Sequence, residues 1–158
     1  MFLSYDNDGV LRVHDRRPTR ELAEELTGEM GLNRIPLARG NRMIGWANDV
    51  GLLMPERFHR NPVASCVLAS LGAAKQPYAG PVVITGFLYD EWGELLDLTE
   101  IQRSEIENLD QAVRHTLASV PIPAEVESYL DLHPGWADSM RAYADQVVSG
   151  AVPPVTWR

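Results

Sequence analysis

Between Asn61 and Ala74 this chain carries no charged side chain. A helix built from that stretch is apolar or small on every side, so it has no face suited to water and belongs in a core. Asn61-Pro62 starts it. Asn accepts a hydrogen bond from a first-turn N–H, and Pro suits the first helical position, where its missing donor is not needed. A buried helix needs a surface to pack on, and Pro81–Tyr89 (PVVITGFLY) supplies one. That run is apolar on both faces, the pattern of a central strand covered on both sides.

Shorter elements surround this pair. Met1–Tyr5 and Val10–His14 flank Asp6-Asn7-Asp8-Gly9, residues that tolerate the backbone of a tight turn, and predict a β-hairpin. Thr19 is an N-cap after Pro18, with Glu21, Glu24 and Glu25 near the positive end of the helix dipole. Leu22, Leu26 and Met30 make that helix's apolar face, and Gly28 and Gly31 mark its end. Ile35–Ala38 and Met43–Ala47 read as a strand pair, followed by a turn at Asn48-Asp49-Val50-Gly51. After the central strand, Glu91–Glu94 is a turn and Leu95–Leu98 a returning hairpin arm.

Two capping boxes compete to start the next helix, Thr99-x-x-Gln102 and Ser104-x-x-Glu107. The stripe Ile106, Leu109, Val113, Leu117 leaves Ile101 out and favours the later start. Pro121 and Pro123 break this helix. Ala124–Leu130 predicts a short helix, and Trp136, Met140, Tyr143 and Val147 stripe a last one before a proline-rich tail. The expected fold class is α+β: a ββαββαββ mixed or antiparallel sheet core with a C-terminal helical extension. The boundary is set near Arg103, with residues 1–102 as the core domain and 103–158 as the extension and tail.

Length and apolar content suit a protein that buries a core without staples. The one cysteine, Cys66, excludes an internal disulfide and fits a reducing compartment. The N-terminus lacks the pattern of a signal peptide, and no apolar run approaches the roughly 20 residues of a membrane span. The expected location is cytoplasmic, away from membranes.

Charge is unevenly placed. Asp90–Asp110 holds eight acids and one base, for a net of −7, whereas residues 1–89 net +1 and 111–158 net −2. Such a ridge repels nucleic-acid backbone and attracts basic protein surfaces. Direct nucleic-acid binding is therefore not expected. The partner expected is a basic host protein or a DNA-binding protein, met by Asp90, Glu91, Trp92, Glu94, Asp97, Glu107 and Asp110, with Trp92 as an aromatic anchor among acids. Asp110 can also pair with Arg114 one helical turn on. An alternative is an anion or nucleotide site from Arg42, Arg57, His59 and Arg60 beside the Asn61-Pro62 helix start.

Catalytic and metal chemistry have no motif behind them. His14, His59, His115 and His133 lie far apart without ligand spacing, so neither a metal site nor a cofactor is expected. Asp6-Asn7-Asp8-Gly9 lacks the glycine a calcium loop needs at its sixth position, which is Leu11. There is no GxSxG, GxxxxGK[ST] or GxGxxG. Cys66 in an uncharged helix has a raised pKa and is inert. No enzymatic activity is expected, an enzyme of unrecognised type being the last alternative.

Residues 1–100 resemble a family of phage- and plasmid-borne domains of unknown function. The matching pieces are LSYDNDGVLRVHD, ELAEELTGEMG, Ile35-Pro36-Leu37, Asn48-Asp49-Val50-Gly51, Leu53-Met54-Pro55, Asn61-Pro62-Val63-Ala64 and Gly80–Gly86, in the family's order. The passage between Pro55 and Asn61 is longer than the family's, and the sequence after Arg103 departs from it. The resemblance implies a fold and a mobile-element origin, not a mechanism. Residues 93–113 (GELLDLTEIQRSEIENLDQAV) are similar to a passage of plasmid anti-restriction proteins that imitate DNA. Together these imply an accessory protein that binds a host macromolecule through an acidic surface, with anti-defence activity as one concrete form. An exposed edge strand or the Trp136 helix could join two copies into a homodimer.

Overall fold

The computed structural model of the chain describes residues 1–37, 42–74, 76–87 and 95–119. The expected turn with Asp90, Glu91, Trp92 and Glu94, and the elements expected after residue 119, lie outside the described residues. The strands are β1 (Phe2–Tyr5), β2 (Leu11–His14), β3 (Leu32–Pro36), β4 (Met43–Asn48) and β5 (Val82–Gly86); the helices are α1 (Arg20–Thr27), α2 (Pro62–Ser70) and α3 (Glu100–Ser119). The strands form one antiparallel sheet in the order β2-β1-β5-β4-β3, so the class is α+β.

β5 is central, as its two-sided apolar pattern requires. Val82 and Ile84 point into a core shared with α2 and α3, while Val83 points into a second core with Leu22 and Ala23 of α1. α2 is buried along nearly its whole length, Ala64 through Ser70. It can lie flat on the sheet because Gly45 of β4 has no side chain: a Cβ there would stand 3.1 Å from Leu68 and 3.2 Å from Ile35. Each fully buried Leu or Ile in these cores contributes on the order of 2 kcal/mol.

The caps follow local chemistry. The Thr19 hydroxyl accepts from the Leu22 N–H at 3.1 Å, and Gly28, at φ +101°, ends α1 with its N–H on the Glu24 and Glu25 carbonyls. α1 thus stops before Met30, which is left half-exposed beyond it. Asn61 caps α2, its side chain accepting from the Ala64 N–H at 3.1 Å.

Two expectations need correction. Leu95–Leu98 pairs back only in part and forms no strand: Leu95 sits in a single β-bridge, the Gly86 N–H donates to the Leu96 carbonyl and the Leu98 N–H donates to the Met1 carbonyl. α3 starts at the earlier capping box: the Thr99 hydroxyl accepts from the Gln102 N–H at 3.3 Å, and the Gln102 side chain accepts from the Thr99 N–H at 2.9 Å. Ile101 pays for that start by standing in water, 82% exposed. Arg103 falls inside α3, whose Ile106, Leu109 and Val113 share one core with α2 and β5.

Candidate functional site

Two ends of the sheet differ in what they do with their polar groups. At one end β1 runs into the Asp6–Gly9 turn. Asp6 accepts from the Val10 N–H at 2.9 Å and from Arg12 at 2.7 Å. Burial pushes its carboxyl up, but the Val10 N–H, Arg12 and the Asp8 N–H outweigh that and hold its pKa low. The Asn61 amide, 1% exposed, donates to the Asp6 carbonyl at 3.0 Å and to the Gly80 carbonyl at 3.2 Å. From α3, Arg114 holds Asp110 through two bonds of 2.9 and 3.0 Å and also donates to the Gly9 carbonyl. Burial opposes the Arg114 charge, yet Asp110 keeps its pKa raised. Beside this pair the Tyr5 hydroxyl is buried without a well-formed hydrogen bond; burial first, then the Asp110 charge, raises its pKa well above the ordinary value.

The expected anion ligands divide between the two ends. Arg57 clamps the end of α1, donating to the Gly28 carbonyl at 3.0 Å and to the Met30 sulfur, with its guanidinium 5.3 Å from the Phe58 ring centre. His59 stands 3.5 Å from Asp8, and Arg60 pairs through its backbone with Ala79. The positive end of α2 beside them is filled by the Asn61 side chain. Arg42 is elsewhere. It precedes Met43, which pairs with Gly86, whereas Ala47 pairs with Val82 at the turn end. The length of β4 therefore separates Arg42 from Arg57, His59 and Arg60.

The described part of the acidic ridge is engaged within the chain. Asp97 accepts from the N-terminal amine. Arg103 lies 3.0 Å from Glu107 and 3.6 Å from Glu100, and those carboxylates raise its pKa. Asp110 is held by Arg114, and Glu105 also has a partner. The spacing Arg103 to Glu107 and Asp110 to Arg114 puts each pair on one helix face. Of the expected partner-binding residues, Asp97, Glu107 and Asp110 are thus balanced by neighbouring cations.

At the opposite end of the sheet from the Asp6–Gly9 turn lies an open groove of about 380 Å³, lined by Arg42, Gly86, Phe87, Leu96, Asp97, Thr99 and Gln102. Phe87 and Leu96 keep 40% and 39% of their surface in water, and Ile101, between the lining residues Thr99 and Gln102 in the chain, is exposed in the first turn of α3. Arg42 sits at φ +49°, a left-handed backbone that a non-glycine residue adopts at a cost. Its carbonyl accepts from the Gln102 amide at 3.4 Å, and no carboxylate among the described residues pairs with its guanidinium. Sequence reading missed this groove; its only local signal was Ile101 falling off the α3 stripe.

The remaining reactive groups are turned inward. Burial raises the Cys66 thiol to about 12. Ser4 Oγ lies 2.7 Å from His14 Nε2 across the β1–β2 pair, and the His14 ring stacks on Phe2 with 4.4 Å between centres. Burial, then Arg16 and Arg12, lower the His14 pKa. Ser4 is buried, so the pair serves the sheet. Glu21, Glu24, Glu25 and Glu29 line a second hollow along α1, an acidic surface that sequence reading did not single out. Among the described residues no group of three His, Cys, Asp or Glu side chains can hold a metal ion, and no helix is long and apolar enough to cross a membrane. Comparisons with protein-family models, with curated proteins and with solved structures found no match to this chain.

Proposed function

We propose that this protein acts by binding another protein, and that it does so at the groove end of the sheet. The observation that carries the reading is the exposure of Phe87 and Leu96 on one open groove, with Ile101 exposed in the adjoining first turn of α3. In the sequence, Asp90, Glu91 and Glu94 fall between Phe87 and Leu96, two residues that line the groove. An acidic stretch of chain between two groove-lining residues favours a basic partner, with long-range attraction speeding the encounter. The acids of α3, balanced by Arg103 and Arg114, contribute little to that field. The resemblance to mobile-element domains makes a protein of the host cytoplasm the natural partner, and interference with host defence one form the activity takes.

The test is affinity capture from host lysate by the wild-type chain, by Ile101→Asp and by Glu91→Lys/Glu94→Lys. A protein retained by wild type, lost in both variants and released by salt supports the reading. Retention that is unchanged in both variants contradicts it.

A further inference from the structure

The groove holds a cation that no carboxylate among the described residues pairs with. Arg42 stands on its wall in a left-handed backbone, with its guanidinium unpaired among the described residues. The carboxylate that shares the groove, Asp97, is already held by the N-terminal amine, and the nearest acid of α3, Glu100, faces Arg103. The same groove is lined by the partly exposed side chains of Phe87 and Leu96. A cation at the rim of an apolar hollow is complementary to a ligand with an apolar body and a carboxylate next to it. A guanidinium fork matches a carboxylate through paired N–H donors.

From this geometry we infer that the groove receives the C-terminus of its partner: an apolar last side chain against Phe87 and Leu96, and the free α-carboxylate on Arg42. This rests on the reading that a partner docks here, and it names the part of the partner that enters. A chain end suits the dimensions. About 380 Å³ is at the small end of ligand sites and holds one or two side chains, while the open mouth lets the rest of a chain leave toward solvent. The Thr99 hydroxyl, which accepts from the Gln102 N–H, still has its own proton to donate at the same wall.

The experiment uses the full chain and a set of N-acetylated basic hexapeptides ending in Leu, Ile, Phe or Met, each made as free acid and as C-terminal amide, titrated by calorimetry. The expected result is at least one free acid that binds about tenfold more tightly than its amide, the difference vanishing in Arg42→Gln and all binding lost in Leu96→Asp. Arg42→Gln keeps a side chain of similar length, and its unfolding curve, matched to wild type, shows that the fold is kept. Equal binding of acid and amide, lost in Leu96→Asp, would overturn the carboxylate role while leaving the groove as a docking surface. No binding by any peptide overturns the inference, and the capture experiment then decides separately whether the docking reading stands. Octanoate competing as well as the best peptide would overturn the choice of a chain end as occupant.

Discussion

The turn end and the groove end of the same sheet are built on opposite plans. At the turn end, Asn61 joins the α2 start to the Asp6 and Gly80 carbonyls and Arg114, held by Asp110, joins α3 to the Gly9 carbonyl, bonds between groups far apart in sequence. At the groove end, among the described residues, backbone bonds from Gly86 to Leu96 and from Leu98 to Met1 are joined by the Asp97 pair with the N-terminal amine and the Gln102 bond to the Arg42 carbonyl, and Phe87, Leu96 and Ile101 remain exposed. Polar groups buried and satisfied stabilise a fold, and exposed apolar groups do not. Val10, Leu52 and Leu53 are exposed as well, so what separates the two ends is the long-range polar network of the turn end, and the proposed contact surface is assigned to the other end.

The largest effect that sharpens this contrast is expected at Asn61. Asn61→Ala removes the cap of α2 and takes the amide donor from the Asp6 and Gly80 carbonyls, the Asp6 carbonyl keeping the Gly9 N–H, for a loss of about 2 to 3 kcal/mol by denaturant unfolding. A loss under about 1 kcal/mol would mean that water replaces the amide readily and that the turn end is not the anchor. Next comes Arg114→Ala, which leaves the Asp110 carboxylate largely buried and the Gly9 carbonyl unpaired. A loss of about 2 kcal/mol is expected, Arg114 being partly exposed and its pair screened accordingly.

Acid should act mainly through the β1–β2 hairpin. His14 has a pKa below its ordinary value, so the folded chain binds fewer protons than the unfolded one. Its contribution is full above the ordinary His range and is lost as pH falls through that range toward the lowered folded value. Asp6 has the same sign at lower pH: its contribution is present above the ordinary Asp range and disappears as pH falls through its depressed value. Unfolding measured across pH for His14→Gln and Asp6→Asn should flatten the two windows separately. A profile unchanged in both would remove the hairpin from the account of acid sensitivity.

The smallest stability effect belongs at the groove. Ile101→Asp should change unfolding by less than about 0.5 kcal/mol, since the side chain is already in water. A large loss there would break the comparison, because it would make the groove end part of the anchor.

The sequence revealed the fold where the chemistry is local. Asn61-Pro62 and Thr19 name their own helix starts, and the two-sided apolar run at Pro81–Tyr89 marks the sheet centre. It misled where tertiary contacts arbitrate. Ser104-x-x-Glu107 is as good a capping box as Thr99-x-x-Gln102, but Glu107 is taken by Arg103, and the earlier start brings Gln102 against the backbone of Arg42. The pairing of Asp110 with Arg114 is readable from spacing; that of Asp97 with the N-terminus is not, because it depends on how β1 meets the segment after β5. The groove was illegible for the same reason, its walls coming from residues 42, 86–87 and 96–102. The basic set from Arg42 to Arg60 looked contiguous along the chain and is divided by the length of β4.

The most direct test of the division between the two ends is a residue-resolved NMR titration of the chain with a basic peptide ending in a free apolar residue. The account predicts shift changes at Arg42, Phe87, Leu96 and Ile101 with the Asp6–Gly9 turn and Asn61 unmoved. Changes centred on the turn end, or on the Glu21–Glu29 surface of α1, would contradict it.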